Sequence, residues 1–219
     1  MITREIKKRI GTSLVLAPLF LITSYLNNIF FYFLLISIFF ISLFEVRKIS
    51  INLSFFFLNI LLVIIFIFSL YFLRGDNNNS YLIFLWVALT IFFSDIGGFI
   101  FGKFFKGKKL TKISPKKTYS GAVGSFIFSL ISIYLVNQIN NLFFLSSINI
   151  HYDLKNILTT LLFSFFCQVG DIYFSFNKRN VNLKDTGKLL PGHGGILDRI
   201  DGMIFVFIFA MILKINNFI

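Results

Sequence analysis

Long apolar runs constrain this chain most. They fall at about Gly11–Leu26, Ile29–Phe44, Ile51–Leu73, Tyr81–Phe101, Gly121–Val136, Asn156–Phe176 and Met203–Ile219. Several reach the roughly 20 helical residues needed to cross a hydrocarbon core of about 30 Å. Only 14% of the 219 residues are charged, against about 25% in a soluble domain, so a water-soluble fold is excluded. The expected fold is all-α, a polytopic transmembrane helical bundle of about seven spans. The first, second and fifth runs are short for a full crossing, and Leu142–Ile150 is an extra apolar patch, interfacial or re-entrant. The 33 Phe residues follow composition and carry no functional weight.

Formal net charge is +12, which in a soluble chain would raise the question of nucleic acid. Here its distribution speaks for topology instead. With the N-terminus in the cytoplasm, residues 1–10, 45–50, 102–120 and 177–202 share one side and hold 4, 2, 7 and 5 Lys and Arg. Only Arg74, Lys155 and Lys214 remain elsewhere, the asymmetry of the positive-inside rule. No nucleic-acid partner is expected. Residues 1–26 pair a basic start with an apolar segment but lack a small-residue cleavage site, so a retained first helix is expected. Cys167 is the sole cysteine, which rules out an intrachain disulfide and argues against a cysteine-based metal site; a packing role is expected. The chain divides into N-terminal transmembrane helices over 1–93 and a C-terminal transmembrane catalytic region over 94–219, with cytoplasmic loops 102–120 and 177–202.

Two of these loops hold more than topology requires. The first follows a span containing Asp95 beside Gly97 and Gly98. An intramembrane carboxylate normally faces a polar cavity, a metal or a basic partner. The lysines of 103–112 suit anionic lipid without any catalysis. Ser114-Pro-Lys-Lys-Thr118 is different, because hydroxyls and ammoniums on a proline-stiffened turn suit phosphate oxygens.

The second loop holds Asp171, Ser175 and Lys178 at i, i+4 and i+7, which share one face if the sixth span continues as a helix. Asp198 and Asp201, at i and i+3, can likewise point one way. Two such carboxylate faces favour magnesium or a similar hard ion completed by substrate phosphates. No His or Cys cluster argues for zinc. Gly192, Gly194 and Gly195 flank His193, and a helix is expected from about Ile196, so the turn has the outline of a phosphate cradle.

Ser175, Lys178-Arg179, Lys184-Asp185, Pro191 to Gly195 and Asp198-Arg199-Ile200-Asp201 together resemble the signature of the phosphatidate cytidylyltransferase family, also called CDP-diacylglycerol synthase. Ser114 to Thr118 with Gly121 resembles a second block of that family, as does Asp95 ahead of Gly102, and Glu45 resembles its early Glu. The chain is short for the family and departs from its pattern at Phe174, where Glu is usual, at Asn177, where an apolar residue is usual, and at Ser120, where Glu is frequent.

The resemblance implies transfer of CMP from CTP to phosphatidate, giving CDP-diacylglycerol and pyrophosphate, with Mg²⁺ as cofactor, alone or with a second cation. Asp171, Asp198, Lys178, Ser175, Asp185 and Arg199 become the candidate catalytic residues, and Asp171, Asp198 and Asp201 the candidate metal ligands. Ser114, Lys116, Lys117, Thr118, Arg179, Lys184, Gly192, His193, Gly194, Gly195 and Asp95 become the candidate substrate-binding residues. A homodimer in a bacterial inner membrane, its site facing the cytoplasm, is the implied setting. The rivals are a CTP-dependent polyprenol or lipid kinase and a non-enzymatic transporter or scaffold.

Overall fold

The computed structural model describes residues 15–219 except Ala17, Asn27, Asn28, Lys112, Pro115, Lys116, Phe144, Lys188 and 191–193. The described residues form helices joined by loops: α1 (residues 18–26), α2 (Ile29–Ile49), α3 (Leu53–Arg74), α4 (Asn78–Phe105), α5 (Tyr119–Ser129), α6 (Ile131–Phe143), α7 (Leu154–Asn180) and α8 (Leu197–Ile215). Their only extended pairings are the isolated bridges Lys109–Thr118 and Leu190–Gly194. The all-α expectation holds.

Among the described residues, five stretches are long and apolar enough to cross a membrane: α2, α3, α4, the near-continuous α5–α6 pair over Tyr119–Phe143, and α7. Two expected spans are not among them. In Gly11–Leu26, residues 11–14 and Ala17 lie outside the described residues and the helix described there, α1 over 18–26, is short for a crossing, and α8 carries Asp198, Arg199, Asp201 and Lys214, which leaves an uncharged run only from Gly202 to Leu213. Large apolar side chains such as Phe33, Phe44, Phe57 and Phe68 are exposed while Ser42, Asn59, Thr90 and Ser164 are buried. Water would penalise that arrangement, whereas lipid accepts it. The chain is an integral membrane protein.

The fold comprises two compact units. One holds the residues up to Phe68 together with Asn177–Asp201. Its α2 buries Phe31, Leu35, Ile38, Ser42, Glu45, Val46 and Ile49, a spacing of three and four that makes one helical face. The other holds Ser69–Phe176 and Gly202–Ile219. There Trp86 meets Phe163 edge-on at 5.4 Å, and Phe166 stacks on Phe209 at 4.2 Å. Hydroxyl pairs tie α4 to α6, Thr90 to Ser132, and α4 to α7, Ser94 to Ser164, both at 2.8 Å.

Within this second unit α4 and α5 approach backbone to backbone through Gly97, Gly98, Gly121 and Gly124. A Cβ on Gly124 would overlap Phe101 and stand 2.7 Å from the Gly97 carbonyl oxygen. Backbone cannot retreat cheaply, so Gly124→Val is expected to destabilise the protein by about 1–3 kcal/mol. Thermal unfolding in detergent checks this by a lowered midpoint.

Three boundaries differ from the sequence expectation, each for a local reason. Asn137 and Asn140, which follow the expected Gly121–Val136 span, lie in α6. Their amides bind the chain that follows: Asn137 donates to Ile150 O (2.7 Å) and accepts from its N–H (2.9 Å), and Asn140 donates to Ile148 O (2.8 Å). The described part of the extra apolar patch beyond α6, residues 145–150, is therefore a loop folded onto the end of that helix. Next, α7 runs to Asn180 rather than ending at Phe176, which carries Lys178 and Arg179 into its last turn. It stops at Asn182, whose φ is 55°, with Leu183 N–H donating to Lys178 O (2.8 Å) and Asn182 N–H to Arg179 O (3.0 Å). That is a Schellman ending with Asn in the left-handed position. Finally, α4 extends to Phe105 and α5 starts at Tyr119, shortening the first basic loop to 106–118.

Candidate active site

The second unit contains an open cleft lined by, among others, Asp95, Gly98, Lys117, Thr118, Gly121, Ser125, Gln168 and Asp171. Three pieces of local chemistry build it. Lys117 N–H donates to Ser114 O (3.0 Å), and Leu110 N–H donates to Lys117 O (2.8 Å). Thr118 then caps α5, its Oγ1 accepting from Gly121 N–H at 3.1 Å, as a threonine at a helix start does. Gly98 and Gly121, which no larger residue could replace without clashes against Ser125 Oγ and Gly98 O, form the wall. The result holds Lys117 Nζ 2.5 Å from Asp171 Oδ2, with both side chains about a quarter exposed.

Asp95 and Cys167 stand beside Asp171. The Cys167 thiol donates to Asp95 Oδ1 at 3.7 Å, and one ligand atom from each of Asp95, Cys167 and Asp171 lies within 4.8 Å of the others. Cys167 is buried, as the expected packing role requires, and it also belongs to the one group of its kind among the described residues whose ligand atoms are close enough to hold a metal ion. The sequence carried a signal, since Cys167 and Asp171 are four apart on one helix.

In the first unit the residues 177–201 build a second, more buried constellation. Lys178 Nζ donates to Asp198 Oδ1 at 2.6 Å and lies 3.8 Å from Asp201 Oδ2. Lys178 is fixed by the Schellman ending, and as a cation in the last turn of α7 it complements the helix dipole. Asp198 sits in the first turn of α8, where a carboxylate is favoured for the same reason. Its other oxygen, Oδ2, accepts from Thr186 N–H (2.7 Å), Thr186 Oγ1 (3.0 Å) and Gly195 N–H (2.9 Å).

Glu45, at the end of α2, reaches the same helix start. It accepts from Ile196 N–H (3.1 Å), Leu197 N–H (2.7 Å) and Thr186 Oγ1 (2.8 Å). Of the glycines expected to cradle a phosphate, Gly195 donates its N–H to Asp198 Oδ2 and Gly194 donates its N–H to Leu190 O, while Glu45 takes up the N–H groups at the helix start. Gly194 has φ +89°, a conformation that glycine alone adopts without strain.

The remaining expected site residues sort plainly. Ser175 shares α7 with Asp171 and Lys178. Arg179, Lys184, Asp185 and Arg199 are exposed, and Arg179 donates to Leu183 O at 3.0 Å. Lys116, Gly192 and His193 lie outside the described residues. Thr186 was not anticipated, and nothing local distinguishes it, since its acceptor Glu45 is 141 residues away.

A known-family comparison decides what such a chain is: the family model described as the cytidylyltransferase family matches residues 12–215. The chain belongs to that family. Among curated cytidylyltransferase relatives, the phosphatidate cytidylyltransferase of Rickettsia conorii is 36% identical over 122 residues, covering 55% of this chain and 53% of the relative. That of Staphylococcus haemolyticus is 43% identical over 124 residues, covering 56% and 45%. That of Staphylococcus saprophyticus is 44% identical over 124 residues, covering 56% and 45%. The chain thus spans about half the length of the curated relatives it matches.

Within this cytidylyltransferase chain the three departures noted in the sequence have structural roles. Phe174 is fully buried and packs edge-on against Tyr173 at 5.2 Å. Asn177, also fully buried, donates to Asn59 Oδ1 at 3.2 Å, an interhelical amide pair of the kind that membrane helices use. Ser120 Oγ donates to Lys106 O and so ties the basic loop to α5.

Because the Lys117–Asp171 pair is partly solvated, its direct worth is small, ~0–1 kcal/mol. Lys117→Gln is therefore expected to leave the unfolding midpoint nearly unchanged. If Lys117 holds a substrate phosphate, the same variant raises the apparent KM for a phosphorylated substrate by about tenfold, the loss of one charge-assisted bond. Initial-rate kinetics with parallel thermal scans checks both.

Proposed function

We propose that the chain is a phosphatidate cytidylyltransferase, joining CTP and phosphatidate into CDP-diacylglycerol with release of pyrophosphate. The observation that carries the reading is the pairing of lysines with carboxylates at two places, Lys117 on Asp171 and Lys178 on Asp198, in a cytidylyltransferase-family chain. Neither place resembles a nucleophile-and-base arrangement. The reaction needs none: a phosphate monoester with a second pKa of about 6 is largely dianionic at neutral pH. Its oxygen attacks the α phosphorus of CTP, a new P–O bond forms, the α–β bridging P–O bond breaks, and pyrophosphate leaves with the electron pair. The obstacle is repulsion between two polyanions, so a site of cations and hard oxygens is the appropriate chemistry.

Lys117, Lys178, Arg179, Arg199, Lys184 and Lys116 are assigned to phosphate oxygens. Ser114, Thr118 and Ser175 are assigned as hydrogen-bond donors, and Gly192, His193, Gly194, Gly195 and Asp95 as further substrate contacts. Asp171, Asp198 and Asp201 are the assigned ligands of Mg²⁺, with Asp185 as an alternate. Carboxylate oxygens suit that hard cation, whereas the Cys167 sulfur does not. When bound, the cation supplies charge neutralisation at the phosphate oxygens.

The proposed topology has seven spans, an N-terminus in the cytoplasm and a catalytic region over 94–219, with the site facing the cytoplasm of a bacterial inner membrane, where CTP is available. A homodimer completes the proposal. The nearest rival, a CTP-dependent lipid kinase, differs in which phosphate moves. Parallel reactions with CTP labelled at the α or the γ phosphate separate them. Label from the α position in the lipid is expected; label only from the γ position would replace this reading with the kinase.

A further inference from the structure

Glu45 is a charged side chain only 3% exposed, and its position is unfavourable for its own helix. It lies near the C-terminus of α2, where the helix dipole repels a carboxylate. The compensation comes from α8, whose first backbone N–H groups, Ile196 and Leu197, donate one to each of its oxygens. Glu45 thus acts as a capping group for a helix 150 residues further along the chain.

Thr186 carries the effect onward. It is buried, and its Oγ1 stands 2.8 Å from Glu45 Oε2 and 3.0 Å from Asp198 Oδ2. A hydroxyl has one proton to give, so it serves one of the two acids at a time, with Glu45 the nearer, while the Thr186 backbone N–H donates to Asp198 Oδ2. The packing leaves no slack. A Cβ on Gly195 would overlap Thr186 Oγ1 and both Glu45 oxygens, and one on Gly187 would stand 2.7 Å from Glu45 Oε1. With Oδ2 held by the Thr186 and Gly195 N–H groups, Asp198 presents Oδ1 to Lys178.

We infer that Glu45, acting through Thr186, is a positioning residue that sets the orientation of Asp198 and hence of Lys178. The inference deepens the proposed cytidylyl transfer and rests on it for its kinetic readout. Glu45 touches no substrate in this scheme. Its loss therefore lowers turnover and leaves the affinity for CTP largely intact.

The test compares Glu45→Gln, Thr186→Val and Thr186→Ser with the wild-type full chain in detergent, each shown to be folded by its helical spectrum. Expected are a fall in kcat of about 10- to 100-fold for Glu45→Gln and Thr186→Val with the CTP KM within about threefold, and recovery to within about threefold in Thr186→Ser, as for a small misplacement of a reacting group. Wild-type turnover in Thr186→Val, or a change confined to KM, would overturn the inference. Amide hydrogen exchange supplies a readout independent of the reaction. The N–H groups of Thr186 and Gly195 bond to Asp198 and not to Glu45, so faster exchange at both in Glu45→Gln reports a displaced Asp198. Faster exchange only at Ile196 and Leu197 would reduce Glu45 to a helix cap and overturn the positioning role. Should wild-type protein yield no CDP-diacylglycerol, the proposed function fails, and the exchange result alone decides the inference.

Discussion

Lys178→Met is expected to damage both stability and turnover. The ammonium lies on Asp198 and near Asp201, with only 10%, 6% and 16% of the three side chains exposed. Removing it leaves two carboxylates close together in a poorly solvated place. Breaking a buried pair from one side costs about 3–5 kcal/mol, because the remaining charge has lost its partner. Turnover should fall by about 10²–10³-fold, the usual cost of removing a group aimed at developing charge. Thermal scans in detergent and initial rates measure the two effects independently. Wild-type stability in this variant would show that Asp198 draws little from Lys178 and depends instead on Thr186 and Gly195.

Asp171→Asn is expected to separate the two effects. Its partner Lys117 and Asp171 itself are each about a quarter exposed, so water screens the pair and stability should change by no more than ~1 kcal/mol. Turnover should nevertheless fall by about 10²-fold or more, since Asp171 is assigned to the cation that gathers the phosphates. A readout that does not depend on turnover is binding of Mn²⁺ as a paramagnetic substitute. The variant should bind it more weakly than the wild type, and equal binding would remove Asp171 from the ligand set.

Much of the helical framework was legible because lipid leaves a simple requirement, a long apolar run, and α3, α4 and α7 follow their runs to within a turn or so. Errors fell where polar residues belong to helices. Asn137 and Asn140 fell outside the expected span because amide side chains end an apolar run, yet those amides are consumed by the loop at 146–150. Lys178 and Arg179 read as loop because charge ends an apolar run, yet a helix can continue past the membrane surface until a residue such as Asn182 stops it.

In the candidate site, the acids and bases were legible as types, and Asp198, Asp201 and Lys178 do meet. The partnerships were not. Spacing along a helix reports which side chains share a face, but it does not report that Lys117 closes on Asp171 from 54 residues away. Nor does it show that Glu45 takes up the Ile196 and Leu197 N–H groups that follow the glycine turn. Thr186 shows the limit most sharply: a small hydroxyl in a polar loop gives no local sign of lying between two buried acids.

The most direct test of the central claim is conversion of phosphatidate by the purified full chain in detergent, with Mg²⁺ and CTP labelled at the α phosphate. Asp198→Asn, shown to be folded, is the companion. The account predicts label in CDP-diacylglycerol with matching release of pyrophosphate, reduced by about 10²-fold or more in the variant. Folded wild-type protein that transfers no label with any acyl chain or divalent cation tested, or a variant as active as the wild type, would contradict it.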